Sequence, residues 1–170
     1  RMAEFSSQIK LEITPDGLQI QIVDDQRRPM FDSGSAAVKP YMRDILTEIG
    51  RALLDVDNKI SLDGHTDSQA YGNAARGYSN WELSADRANA SRRELIAAGM
   101  PEAKLARVVG MASSLPLEPD NPLAPSNRRI SILVMTKDAE ERLLGSKTVA
   151  LDAGEESTGK PAAPEAKSSP

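Results

Sequence analysis

Apolar and polar residues alternate in several short segments of the chain, and this strand-like periodicity restricts the fold more than any other feature. Residues 11–13 and 18–22 carry apolar side chains at every second position, which is the pattern of half-buried strands. Pro15-Asp16-Gly17 separates the two runs, and proline presets one φ angle while glycine accepts a positive one. The segment is therefore predicted to form a β-hairpin.

Two segments have helical spacing instead. Residues 42–53 repeat apolar side chains every three or four positions, and Pro40 before them suits a first helical turn. Ser79-Asn80-Trp81-Glu82 has the form of a capping box, in which the serine and glutamate side chains satisfy backbone amides. A second helix is predicted from there to about Ala98, before Gly99. One stripe of this helix carries Leu83, Arg87, Ser91 and Leu95.

Three later segments complete the predicted fold. Residues 60–62, 105–111 and 130–134 alternate like strands, and a short polar helix is predicted near 138–144. The order of the main elements is β-β-α-β-α-β-β. This order predicts an α+β two-layer sandwich, with a mixed sheet and helices on one face.

The predicted domain spans residues 10–144. Residues 1–9 are interpreted as a linker or N-terminal extension, and Arg1 indicates a fragment of a longer protein. From residue 145 onward the composition shifts to Ala, Glu, Lys, Ser, Gly and Pro. Such a segment buries too little apolar area to offset its ordering entropy, so 145–170 is predicted to be a disordered tail.

Composition excludes several classes of function. The formal net charge of -4 argues against broad nucleic-acid binding, which needs a basic face. The chain has no cysteine, which rules out disulfides, zinc–thiolate sites and cysteine nucleophiles. No apolar run approaches the roughly 18 residues that span a bilayer. No cofactor or metal is expected.

An enzyme is not expected either. His65 is the sole histidine, and a serine hydrolase would need it between Ser84 and an acid such as Asp67, which lies only two positions away. No Gly-x-Ser-x-Gly elbow is present, and one histidine is too few for a zinc hydrolase. Asp63 and Asp67 are close in sequence, but nothing marks either as a raised-pKa acid. His65 is interpreted as a structural, hydrogen-bonding residue.

The most informative polar residues lie where the third strand gives way to a loop. If this strand packs beside the second helix, Asp67 and Arg87 approach one pocket. A carboxylate accepts an ammonium and a guanidinium accepts a carboxylate, so the pair forms a receptor for a zwitterion. The side-chain end of diaminopimelate in peptidoglycan is such a zwitterion. A plain structural salt bridge between Asp67 and Arg87 remains the alternative interpretation.

Several motifs resemble the OmpA-like peptidoglycan-associated family. They are Gly64-His65-Thr66-Asp67, the spaced Asn80-x-x-Leu83-Ser84-x-x-Arg87-Ala88, Asn127-Arg128-Arg129, and the loop Phe31-Asp32-Ser33-Gly34-Ser35-Ala36 with Lys39-Pro40. Each motif is weak alone, but their order and spacing make the set specific. Together they span residues 31–135.

The resemblance implies a role for particular positions. Asp67 matches the aspartate that receives the diaminopimelate ammonium, and Arg87 matches the arginine that receives its carboxylate. Other matches are residues that line or adjoin the pocket: Thr66, Asn80, Leu83, Asp32 and Arg129. For Arg129, an ion pair at the start of the last strand is an equal alternative. The longer loop at 71–77 departs from the simplest family members and leaves the outer part of the site open.

Within the family, residues 78–89 and 107–112 resemble the wall-anchoring subunits of flagellar motor stators. That likeness implies a periplasmic domain of a single-pass inner-membrane protein, with peptidoglycan, a membrane partner subunit and a second copy of the chain as partners. The final strand or the second helix is a candidate dimer surface. The alternative is an OmpA-like wall anchor of an outer-membrane protein or lipoprotein.

Overall fold

The computed structural model describes residues 6–70 and 76–145. The chain divides into two compact units after Met135. The first unit holds a five-stranded sheet in the order β1-β2-β5-β3-β4. Its strands are β1 (Ile9–Thr14), β2 (Gly17–Val23), β3 (Ile60–His65), β4 (Leu105–Gly110) and β5 (Arg129–Met135). Its helices are α1 (Pro40–Ala52) and α2 (Asn80–Ala97).

The second unit begins at Thr136 and contains helix α3 (Lys137–Leu144). Thr136 caps it, because its hydroxyl accepts a hydrogen bond from the amide of Ala139 at 3.0 Å. The predicted boundaries of the domain stay a prediction. Residues 1–5 of the predicted extension and 146–170 of the predicted tail lie outside the described residues.

The mixed sheet and the predicted fold class are confirmed. β3 and β4 run parallel, while every other neighbouring pair is antiparallel. The hairpin forms as predicted, with Thr14 opposite Gly17 across the turn. β5 lies between β2 and β3. Its backbone groups are therefore used inside the sheet, so the final strand has no open edge for backbone pairing with a second copy.

Both helices of the first unit begin where the sequence predicts. Pro40 occupies the first turn of α1, and the buried stripe of this helix is Met42, Ile45, Leu46 and Ile49. At α2 the amide of Ser79 donates to the Glu82 carboxylate at 2.7 Å, and the Ser79 hydroxyl accepts from Trp81 N at 3.1 Å. The capping box therefore forms in full.

The core lies between the sheet and the two helices. α1 packs on α2, and α2 contacts β3 and β4. Buried side chains from one face of the central strands complete this core: Ile20, Ile22, Ile60, Leu62, Ile130 and Ile132. Gly64 permits the close approach of α2, since a Cβ atom there would lie 2.1 Å from the carbonyl oxygen of Ser84. The end of β3 is thus held directly beneath the start of α2.

No helix in the described part of the chain is long and apolar enough to cross a bilayer.

Candidate functional site

The segment after β3 places Asp67 under α2. Thr66 N donates to the carbonyl of Ala112 at 2.8 Å, which continues the sheet contacts past the strand end. Asp67 is only 2% exposed, and its Oδ1 accepts a hydrogen bond from Gln69 N at 3.0 Å. Asn80 Nδ2 donates to the carbonyl of Gln69 at 2.9 Å and to that of Asp67 at 3.4 Å. The first turn of α2 therefore holds this segment in place.

Arg128 joins two buried carboxylates. Its Nη1 lies 2.7 Å from Oδ2 of Asp67, and its Nε lies 2.8 Å from Oδ2 of Asp24. Asp24 also accepts a hydrogen bond from Met30 N at 2.7 Å. A charge-assisted bond of this kind offsets part of the cost of burying the ions.

The pKa values reflect this arrangement. Burial raises the pKa of Asp24, and the hydrogen bond from Arg128 only partly opposes it. Burial by itself would lower the pKa of Arg128, but its hydrogen bonds to Asp24 and Asp67 outweigh that effect and leave its pKa raised. Arg128 thus stays charged between the two acids.

Arg87 holds the loop before α1. From α2, its Nε donates to the carbonyl of Ser35 at 2.8 Å and its Nη2 to the carbonyl of Asp32 at 3.1 Å. Its guanidinium carbon lies 4.9 Å from the ring centroid of Phe31, within range of a cation–π contact. Asp32 in turn forms an ion pair with Lys39 at 2.8 Å. Arg87 therefore connects α2 to the segment that precedes α1.

A cavity of about 210 Å³ opens between these groups. Three cationic and two acidic side chains line it. Asp67 does not line the cavity itself, but it forms an ion pair with Arg128, which does. An arrangement with adjacent guanidinium groups suits a carboxylate, which can accept two hydrogen bonds from one arginine. The lining residues are Asp24, Pro29, Phe31, Asp32, Ser33, Lys39, Arg87 and Arg128.

Of the seven predicted site residues, Asp32 and Arg87 line the cavity, and Asp67 is linked to it through Arg128. Asp67 and Arg87 flank the same region, but among the described residues the ion pair of Asp67 is with Arg128. The plain Asp67–Arg87 salt bridge is therefore not the arrangement found. Thr66 and Leu83 are 1% and 0% exposed, so they pack behind the site and do not line its surface.

Arg129 lies elsewhere. Its Nε donates to Oε1 of Gln21 at 2.7 Å and its Nη2 to the carbonyl of Leu115 at 2.7 Å. It does not line the cavity. Successive side chains of an extended segment point to opposite faces, so its neighbour Arg128 reaches the cavity and Arg129 cannot.

Sequence reasoning missed Arg128 and Asp24. Arg128 belongs to the Asn127-Arg128-Arg129 motif, and the two-residue period of β5 was the signal that could have separated the two arginines. For Asp24, which directly follows β2, no local signal distinguishes it from Asp25.

His65 is buried on the other face of the sheet and is 5% exposed. Burial, with a smaller contribution from the charge of Arg129, lowers its pKa to about 3, so the ring is neutral at physiological pH. Its Nδ1 has no hydrogen-bond partner among the described residues. The predicted hydrogen-bonding role of His65 therefore does not extend to this nitrogen.

Comparison with known proteins gives a consistent result. Residues 30–129 match the OmpA family. The chain is 54% identical over 136 residues to motility protein B of Escherichia coli strain K12, which covers 80% of this chain and 44% of that protein. It thus spans less than half the length of this curated relative.

Solved structures agree in fold. The periplasmic domain of Helicobacter pylori MotB (residues 90–256) superposes with a TM-score of 0.68 at 21% identity, covering 94% of each chain. The cell wall anchor of the type VI secretion system (T6SS) of Pseudomonas aeruginosa has a TM-score of 0.64 at 25% identity, covering 81% of this chain and 98% of that one. With the match over residues 30–129, these likenesses lead to one conclusion: the chain belongs to the OmpA family.

Proposed function

We propose that this chain is a non-catalytic peptidoglycan-binding domain that anchors a flagellar motor stator to the cell wall. Its similarity to motility protein B supports the motor assignment. The relative from Pseudomonas aeruginosa, whose name describes a cell wall anchor, supports the wall-binding assignment. The second of these proteins also shares the fold of this chain.

One observation carries the proposal: Arg87 and Arg128 meet at one cavity, and Asp67 is bonded directly to Arg128. In the proposed complex, Arg87 receives the carboxylate at the free end of diaminopimelate. A guanidinium group matches the planar geometry of a carboxylate and stays charged at any physiological pH. The Phe31 ring and the two backbone carbonyls keep Arg87 in one orientation, which lowers the entropy cost of binding.

The ammonium of the ligand requires an exchange of partners. Oδ2 of Asp67 is already occupied by Arg128, so an ammonium reaches this carboxylate only when Arg128 moves. Arg128 can move without becoming unpaired, because its Nε bond to Asp24 is separate from its bond to Asp67. Asp32, whose side chain is 61% exposed at the cavity, provides the first contact for the incoming ammonium.

The remaining predicted residues support this site from behind. Asn80 positions the Asp67 segment through two backbone carbonyls. The Thr66 hydroxyl donates to the carbonyl of Asp67 at 2.8 Å, and Leu83 is a buried residue of α2. Arg129 is proposed to act indirectly, because it holds the carbonyl of Leu115 and so fixes the loop between β4 and β5.

The role of the whole protein is also a proposal, since the chain spans 44% of motility protein B. We propose a periplasmic domain of a single-pass inner-membrane protein, whose membrane segment pairs with the stator partner MotA. A homodimer would place two wall sites on one assembly. Two weak sites on one assembly give a much higher overall affinity for the wall than one site, because the second binding step is intramolecular.

A wall anchor of another system, such as an outer-membrane protein or lipoprotein, would share this fold and site. The structural similarity to the secretion-system anchor supports this second candidate. The 54% identity to motility protein B, against 25% to that anchor, favours the motor.

The proposal is tested by sedimentation with purified peptidoglycan. The wild-type chain should pellet with walls whose diaminopimelate is free, and largely stay in solution with walls whose diaminopimelate is amidated. Amidation removes the ligand charge that Arg87 receives, and this comparison needs no variant that has to fold. Equal retention on both walls would refute the site, and release of soluble fragments would indicate an enzyme.

Two variants and a control refine this test. Arg87→Gln and Asp67→Asn should each reduce retention at least about tenfold, since a hydrogen bond between charged groups contributes about 1.5–3 kcal/mol. Arg93→Gln changes an exposed arginine of the same helix and should leave retention unchanged. Circular dichroism of each variant confirms that the fold is retained.

A further inference from the structure

Strand β1 forms an open edge of the sheet. Among the described residues β2 is its one partner. Val23 N donates to the carbonyl of Gln8 at 2.8 Å, so even-numbered positions of this segment direct their backbone groups toward β2. Because these directions alternate along an antiparallel strand, Ile9, Leu11 and Ile13 direct theirs away from the sheet. Such a row of free donors and acceptors is a template for another strand.

Side chains of the same strand leave apolar area in solvent. Leu11 is 66% exposed and Ile13 is 82% exposed. A groove of about 490 Å³ opens beside them, between the hairpin and the end of α1. Its apolar walls include Ile9, Leu11, Leu18, Ile49 and Leu53. Contiguous exposed apolar surface of this kind marks an interaction site.

The charges on β1 select the partner. Lys10 and Glu12 are both exposed and project from the face opposite to Leu11. We infer that the edge pairs with the same edge of a second copy of this chain, antiparallel and centred on Leu11. In that register Lys10 faces Glu12 of the partner subunit on both sides of the two-fold axis. Ile9 faces Ile13 of the partner subunit, and the two Leu11 side chains meet beside the groove.

Other registers and the other edge fit less well. Centring the pair on Lys10 or on Glu12 would place like charges directly opposite each other, which destabilises an antiparallel pair. The opposite edge strand, β4, carries Arg107 as its single charged side chain and so offers no opposite charge to itself. The inference specifies the self-association proposed above, and it does not depend on the wall site.

Charge exchange tests the pairing by sedimentation equilibrium of the full 170-residue chain. Lys10→Glu and Glu12→Lys should each raise the dimer dissociation constant about tenfold, because two attractive pairs become repulsive. The double exchange should restore the dimer. An equimolar mixture of the two single variants should also form a dimer, since each then faces its opposite charge. Arg93→Glu changes an exposed residue of α2. It is the matched control and should leave the dimer dissociation constant unchanged.

Cross-linking tests the register, because the chain has no cysteine of its own. Leu11→Cys should be joined to its copy by a short bismaleimide, whereas Ile13→Cys should not, since its two copies lie four residues apart in the proposed register. A chain that stays monomeric would overturn the self-association itself. A dimer that ignores the charge exchanges, or that cross-links equally at both positions, would overturn the β1 interface while leaving wall retention unaffected.

Discussion

Oδ2 of Asp67 lies 2.7 Å from Nη1 of Arg128, so the buried carboxylate at the centre of the site is paired with a cation of the chain itself. The two residues are 61 positions apart in sequence, but Asp67 follows β3 and Arg128 precedes β5, and these strands are antiparallel neighbours in the sheet. Arg128 therefore has two roles. It stabilises the fold by pairing with buried acids, and in the proposed complex it determines when Asp67 becomes accessible to a ligand.

Removing Arg128 should destabilise the domain strongly. Arg128→Gln leaves both Asp24 and Asp67 without their cation, and they are 7% and 2% exposed. We expect the free energy of unfolding to fall by about 3–5 kcal/mol, as when one partner of a buried ion pair is removed. Urea denaturation measures this change. Arg43→Gln, which breaks an exposed pair with Glu94, should cost less than about 1 kcal/mol.

A double-mutant cycle measures whether Asp67 and Arg128 stabilise the fold as an interacting pair. Asp67→Asn combined with Arg128→Gln should cost clearly less than the sum of the single changes, because the double variant buries one unpaired charge fewer. Additive costs would show that the 2.7 Å contact contributes nothing to stability.

Acid should destabilise the domain partly through His65. Its pKa falls from an ordinary 6.5 to about 3 in the folded chain, mainly because it is buried. The unfolded chain thus binds this proton first, and stability is lost as pH falls from about 6.5 toward 3. The slope reaches at most about 1.4 kcal/mol per pH unit.

His65→Gln should flatten this slope, as measured by urea denaturation between pH 7 and pH 5. The raised pKa of Asp24 acts in the opposite direction, since that acid favours the folded state as pH falls toward its pKa. An unchanged slope in His65→Gln would mean that the ring is accessible to protons in the folded chain.

Gly64 should tolerate no side chain. A Cβ atom there would lie 2.1 Å from the carbonyl oxygen of Ser84, which belongs to the backbone of α2 and cannot turn aside. Gly64→Ala should lower the free energy of unfolding by about 3 kcal/mol, as in overpacked cores, and weaken wall retention by shifting α2. Gly77→Ala meets nothing within 4 Å but has a φ of +82°, so it should cost only about 1 kcal/mol.

The capping box of α2 contributes to stability. Ser79→Ala removes the hydroxyl that accepts from Trp81 N, and should cost about 1 kcal/mol in thermal or urea unfolding. Ser79→Asp supplies another good cap and should recover most of that loss. If the alanine and aspartate variants are equally unstable, the cap does not determine where α2 begins.

Local chemistry explains why much of the fold was predictable. The hairpin turn before Gly17, the start of α1 at Pro40 and the start of α2 after Ser79 each depend on groups within about four residues. Apolar periodicity then determines which face of each element is buried. These signals lie within short windows of sequence, so no knowledge of distant contacts is needed to interpret them.

The sequence by itself thus determined the elements and the α+β class, and it indicated Asp67 and Arg87 as candidates for one site. Only the tertiary structure decided that Arg128 and not Arg129 reaches the cavity and that Asp24 shares it. It also decided that, among the described strands, β1 lies at an edge of the sheet while β5 is enclosed. The physical reason is that sheet order and register are set by the packing of the whole core. A shift of one residue in β5 would exchange the two arginines between opposite faces.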